Sequence, residues 1–203
     1  MKARFVARGR TLKALALGLA LVTSSACSAT LPEYADQRDI WTRSKIAWDG
    51  FVANATVHAT LKAVAFREAY VKEYGRLFAL TARQKQRLLA AELEEAKNTY
   101  VFVVALHTNQ LDWNRLHPRD GVWAVRLENG KNEYVRPVRV KRLDPLNPTW
   151  TKLYPYLGDQ FTFWELTFPR WTQDGALLAN SGELMELIVA GAPAQIRLKW
   201  EAP

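Results

Sequence analysis

Three histidines, one cysteine and twenty acidic residues carry most of the reactive side chains of this 203-residue chain. A metal site needs clustered His, Cys or carboxylate ligands. His58, His107 and His117 include no i, i+4 pair, but His107, Asp112, His117 and Asp120 fall within fourteen residues, where a single loop could gather them. The same four residues also suit a polar loop after a strand, with Asp112 and Asp120 closing turns. The second reading is adopted, and no metal or cofactor is expected. Nucleophilic catalysis needs an activated Ser, Cys or Thr with a base in reach. No Gly-x-Ser-x-Gly elbow occurs, Ser181-Gly182 reads as a turn, and no glycine-rich loop leads into a helix to cradle phosphate. Glu94 and Glu95 are adjacent, and neighbours on a helix point in different directions. The chain is therefore read as non-catalytic.

The thiol, Cys27, has a different use. Lys2, Arg4, Arg8, Arg10 and Lys13 form a basic start without acidic residues, followed by the apolar run LALGLALV (15–22) and then Ser24-Ser25-Ala26-Cys27. The apolar run is shorter than the roughly 20 residues of a permanent span, which is the layout of a secretory leader. Gly9 separates Arg8 from Arg10, so general secretion is expected rather than twin-arginine export. Ser24 to Cys27 resembles a bacterial lipobox, with Ser24 where a large aliphatic residue is usual. An ordinary cleaved leader would leave an incidental thiol, and a lone cysteine in an oxidising compartment has no partner. Lipidation of Cys27 is the expectation, with residues 1–26 as leader and 27–47 as tether. Ser28 rather than Asp follows the cysteine, which by resemblance to the sorting rule of Gram-negative lipoproteins implies the outer membrane, facing the periplasm.

Export also explains the charge. Lys and Arg number 28 against 20 Asp and Glu, a net +8; the leader holds five of the positives and none of the negatives, leaving 23 against 20, or +3. A nucleic-acid partner is not expected. Two basic stretches remain. RQKQR (83–87) opens a helix, where cations oppose the dipole, and reads as a solvated first turn. VRPVRVKR (135–142) places Arg139 and Lys141 on one strand face. Near a membrane they could meet anionic lipid or another envelope polyanion; equally, such cations guard an edge strand against aggregation. Edge protection is the preferred reading.

The elements that position these residues are strands around a helical excursion. WDGFVANATVHAT (48–60) alternates with a period of two. Phe66, Tyr70, Tyr74 and Leu77 then recur at helical spacing, and Thr81-Ala82-Arg83-Gln84 matches a capping box that starts a second helix, with Leu88, Leu89 and Leu93 on its stripe. A helical hairpin is thus expected over 61–97. TYVFVVALHT (99–108) is apolar on both faces, as in a central strand. Asn129-Gly130 predicts a hairpin turn with positive φ, and Pro137, which cannot donate in a ladder, predicts an edge. FTFWELTFP (161–169), ELMELIVAG (183–191) and QIRLKWE (195–201) add strands. The fold class is mainly β with an α insertion: residues 48–203 form an antiparallel immunoglobulin-like β-sandwich, with the helical hairpin after its first strand.

The segments FVANATVHATLKAVAFREAYVKEYGRLFALT, FVVALHTNQLDWNRL, VWAVRL, LYPYL, LTFP and IRLKW, spread over nearly all of the mature chain, resemble an uncharacterised family of Gram-negative bacterial lipoproteins. The resemblance implies a lipidated β-rich domain with a helical excursion, and it implies no site residues. The resulting expectation is an outer-membrane-anchored lipoprotein that binds or scaffolds in the cell envelope. Its partners are the membrane, through the anchor, and an envelope protein or anionic envelope polymer. The alternatives are a periplasmic carrier or chaperone for an apolar ligand and a small envelope hydrolase.

Overall fold

The stretch TYVFVVALHT does become the centre of the molecule. The computed structural model describes residues 30–117, 121–144 and 147–203. One sheet contains, in order across it, β1 (Thr42–Asp49), β2 (Val52–Leu61), β3 (Thr99–Thr108), β7 (Thr162–Pro169) and β6 (Arg139–Leu143). The other contains β5 (Tyr134–Val135), β4 (Trp123–Asn129), β8 (Leu184–Gly191) and β9 (Ala194–Glu201). All pairings are antiparallel. The helices are α1 (Pro32–Trp41), α2 (Val64–Leu77), α3 (Ala82–Asn98) and α4 (Pro148–Leu153). None among the described residues is long and apolar enough to cross a membrane.

Alternation along β3 feeds two cores. Phe102, Val104 and Leu106 point between the sheets, against Leu166, Leu187 and Trp200. Val103 and Ala105 point the other way, under Tyr34 of α1, Phe66 and Tyr70 of α2, and Leu153 of α4. The protein is thus layered as helices, five-stranded sheet, four-stranded sheet, and β3 is buried on both sides because both sides are covered. Phe102 meets Phe168 and Trp200 edge-on at ring separations of 5.7 and 5.1 Å, a favoured aromatic geometry.

The hairpin of α2 and α3 lies between β2 and β3, and its second helix starts as the sequence suggests: Gln84 N–H donates to Thr81 Oγ1 and Thr81 N–H donates to Gln84 Oε1. The two helices differ in depth. Phe66, Tyr70 and Val71 of α2 are core residues, whereas α3 buries no residue fully and lies outside, packing Leu88 and Leu89 against the aromatic layer. Tyr70 stacks on Phe66 at 6.3 Å and lies 5.5 Å from Tyr74. Tyr70→Ala is expected to cost about 3 kcal/mol, as truncation of a buried aromatic typically does, and to lower Tm by roughly 6–12 °C for a domain of this size. An unchanged calorimetric melt would mean that α2 is not part of the cooperative unit.

The tether, the position of the hairpin and the left-handed residue of the β4–β5 turn differ from expectation. The tether expected over 27–47 is structured from Pro32: α1 seals the aromatic layer with Tyr34, whose hydroxyl donates to the Leu153 carbonyl at 2.8 Å, and β1 pairs with β2 from Thr42↔Thr60 onward. The hairpin therefore follows the second strand rather than the first. β1 lacks a visible period of two because, as an edge strand, it buries almost nothing. In the β4–β5 turn the left-handed residue is Asn132, with φ +64, rather than Gly130. The Asn129 side chain organises that loop, its Oδ1 accepting from Lys131 and Glu133 N–H. Finally, β6 does lie at a sheet edge, just beyond Pro137, with Arg139 and Lys141 on one face, but that face belongs to the helical layer. Arg139 is ion-paired with Glu95 of α3 at 3.2 Å and with Glu165 at 3.4 Å. Lys141 stands exposed in register with Glu165.

Candidate functional site

A groove of about 780 Å³ lies on the outer face of the four-stranded sheet, over β4, β5 and β9. Strand alternation builds its floor. Trp123 and Leu127 of β4 face the sandwich core, so Ala124, Arg126 and Glu128 face outward. Cross-strand register places Arg126 beside Ile188 and Ile188 beside Arg197; one step along, Glu128, Glu186 and Lys199 form the next row. Ile188 is fully buried although it sits on an outward-facing row. The aliphatic stems of the flanking arginines supply such cover while their charged heads stay in water.

Those heads form a ladder of alternating charge. Arg126 Nε donates to Glu128 Oε2 at 2.9 Å, Arg197 Nη1 lies 3.2 Å from Glu186 Oε2 and 3.7 Å from Glu128 Oε1, and Lys199 Nζ lies 3.0 Å from Glu186 Oε1. Burial tends to raise the Glu186 carboxyl, but hydrogen bonds and charge from Lys199 and Arg197 outweigh it and hold the group below the ordinary glutamate range. Both carboxylates are satisfied by the ladder, and Arg136, on the crossover from β5 to β6, is exposed with no carboxylate partner among the described residues. Tyr134, half exposed, sits near it in sequence and under the Arg126 guanidinium, 5.6 Å from ring centre to Cζ.

The end wall is the loop before β4, and it requires two glycines. A Cβ on Gly121 would fall 2.5 Å from the Arg115 carbonyl oxygen, and one on Gly191 would fall 2.3 Å from that of Val122. Close backbone approach of this kind excludes any side chain. Leu116 and the Trp123 indole, which donates to the Trp113 carbonyl at 2.6 Å, fasten the same loop to the core. The described lining contains three arginines, one glutamate and one phenol, and no Ser, Thr, Cys or His. The lining therefore presents charged donors with an aromatic face alongside.

The residues singled out in the sequence lie elsewhere. Cys27 and Asp120 fall outside the described residues. His107 Nδ1 is 3.0 Å from the Gln160 carbonyl, and Asp112 is 3.5 Å from Arg115. No group of three or more His, Cys, Asp or Glu among the described residues could hold a metal ion. Glu94 and Glu95 diverge, the first to Lys97 and the second to Arg67 and Arg139. His58 stacks on Tyr156 at 5.2 Å, and its burial lowers its pKa. The groove arginines escaped notice because Arg126 and Glu128, and Arg197 and Lys199, each look like the polar side of an ordinary alternating strand. Only the placement of β8 between β4 and β9 unites them. No protein-family model matches the chain, and no curated protein matches it.

Proposed function

We propose that this chain is an envelope lipoprotein, anchored to the outer membrane through Cys27, whose domain binds an anionic envelope polymer in the groove on the four-stranded sheet. The observation that carries this reading is Arg136, a cation unpaired among the described residues, on the rim of a concavity that already contains Arg126 and Arg197. The volume falls within the range that holds a small ligand or one unit of a polymer, roughly 300–1,000 Å³. The groove presents donors and positive charge to carboxylate or phosphate, and Tyr134 offers a flat surface to a sugar ring or acyl chain beside it. The role is binding or scaffolding. The family resemblance of the sequence, with its lipidated β-rich domain, is compatible with that role.

The test is equilibrium binding to immobilised acidic polysaccharide and to vesicles rich in phosphatidylglycerol. Arg136→Glu reverses an exposed charge, and a contact of about 1 kcal/mol per unit charge in water predicts a loss of roughly five- to thirtyfold. Wild-type binding should also weaken as salt shortens the Debye length. Arg139→Glu with Lys141→Glu, on the opposite side of the sandwich, should leave groove binding unchanged if those cations guard the edge. Undiminished binding by Arg136→Glu would exclude the groove as the binding site.

A further inference from the structure

The end of the sandwich where β1 turns into β2 displays apolar side chains from two separate loops. Phe51 at the turn is fully exposed, Trp48 is 61% exposed and Val52 54%; Leu111, in the loop after β3, is 85% exposed. Both segments lie at one end of the molecule, where Asn54 ties them together. Asn109 N–H donates to the Asn54 carbonyl at 3.3 Å, and Asn109 Nδ2 donates to Asn54 Oδ1 at 3.0 Å. Asn54 also reaches the β8–β9 turn, donating from Nδ2 to the Pro193 carbonyl at 3.4 Å.

The bulge at this position explains both the tie and the exposure. Ala47 pairs with Ala55 and Trp48 with Ala53, so Asn54 is the extra residue on β2. Such a residue is freed from the ladder and bends its strand. Gly50, at φ +56, then closes the turn with open space around it. The rings are therefore displayed on a braced hairpin, where an unbraced one could fold them back onto the sheet.

We infer that this end of the sandwich dips into the interfacial layer of a lipid bilayer, with Trp48, Phe51, Val52 and Leu111 as the inserted side chains. Shape and area favour a bilayer over a protein partner. The four side chains are convex and few, and their exposed area stays short of the roughly 800 Å² per partner that a stable protein interface buries. A bilayer demands no matching surface, and Trp side chains prefer its headgroup boundary. This surface is distinct from the groove, and its insertion does not depend on what the groove binds.

The experiment places the photocrosslinking residue p-benzoylphenylalanine at position 51 or position 111 of the full chain expressed in cells, with position 83 on exposed α3 as comparison. Irradiation should yield phospholipid adducts at 51 and 111, detected as mass shifts on the purified protein, and only background at 83. Adducts to a second copy of the chain or to another protein at 51 and 111 would overturn the inference. So would the lack of any adduct at either position, or equal lipid labelling at all three, which would report mere nearness to the membrane.

Discussion

Arg67→Met is expected to destabilise the domain by about 3–5 kcal/mol, the range for removing one partner of a buried ion pair. Arg67 is fully buried beneath α3, where Nε donates to the Lys62 carbonyl at 2.7 Å and Nη1 donates to the Glu92 carbonyl and to the carboxylates of Glu92 and Glu95. It is the peg that holds the outer helix to the inner one, since α3 buries no apolar side chain completely. Removing the guanidinium leaves two carboxylates close together in a poorly hydrated setting, with Lys62 and Arg139 as their remaining counter-charges. The double variant Arg67→Met/Glu92→Met should recover much of the loss, because an apolar pair of similar volume avoids the uncompensated charge. Urea unfolding followed by circular dichroism measures both. A loss below about 1 kcal/mol, the value of a surface pair, would show that α3 is held by other contacts.

The same cluster sets a pH dependence. Burial raises the Glu95 carboxyl, but the hydrogen bond from Arg67 and the charges of Lys62, Arg67 and Arg139 outweigh it, so the net shift is downward. A hydrogen bond from Arg76 likewise lowers Glu73. A carboxylate whose folded pKa is depressed contributes stability above its unfolded pKa, and that contribution disappears as pH falls through the folded value. The wild type should therefore lose stability below about pH 4.5, near the unfolded glutamate pKa. Arg67→Met should lose less over the same window, because Glu95, left with Lys62 and Arg139 alone, gains less from ionisation.

Cys27→Ser is expected to abolish lipid anchoring. Acyl chains contribute about 0.8 kcal/mol per buried methylene, so the several chains of a lipoprotein cysteine outweigh the shallow insertion of a few side chains such as Trp48 and Phe51. Cys27 is the only cysteine, and no second residue can substitute for it. Wild-type protein should take up labelled palmitate and partition into detergent; the serine variant should do neither and should accumulate as uncleaved precursor. Normal processing of the serine variant would refute the anchor while leaving the groove and the apolar end of the sandwich to be tested separately.

Whatever was decided by neighbours along the chain could be read directly from the residues. The capping box at Thr81 and Gln84 is a matter of four consecutive residues, and it forms as written. The period of two in β2 sends Ala55, Val57, Ala59 and Leu61 inward because alternation is a property of any extended backbone. The unbroken apolar character of β3 identified a strand with both faces covered, and Pro137 marked an edge because it lacks a donor. Phe66 and Tyr70 lay on a helical stripe, and a stripe must be buried against something.

What remained hidden depended on partners far away in sequence. β1 has no pattern of its own, since it exists by pairing with β2 along a sheet edge and buries little. Arg139 and Lys141 do share a face, but alternation gives the two sides of a strand without naming what lies on each. Here α3 lies on that side, and Glu95 occupies Arg139. The groove is the same case on a larger scale: Arg126 and Arg197 are 71 residues apart and meet only because β8 is threaded between β4 and β9, while Arg136 joins them through the β4–β5 hairpin. A period of two carries no information about strand order, and strand order alone determines which polar faces become one site.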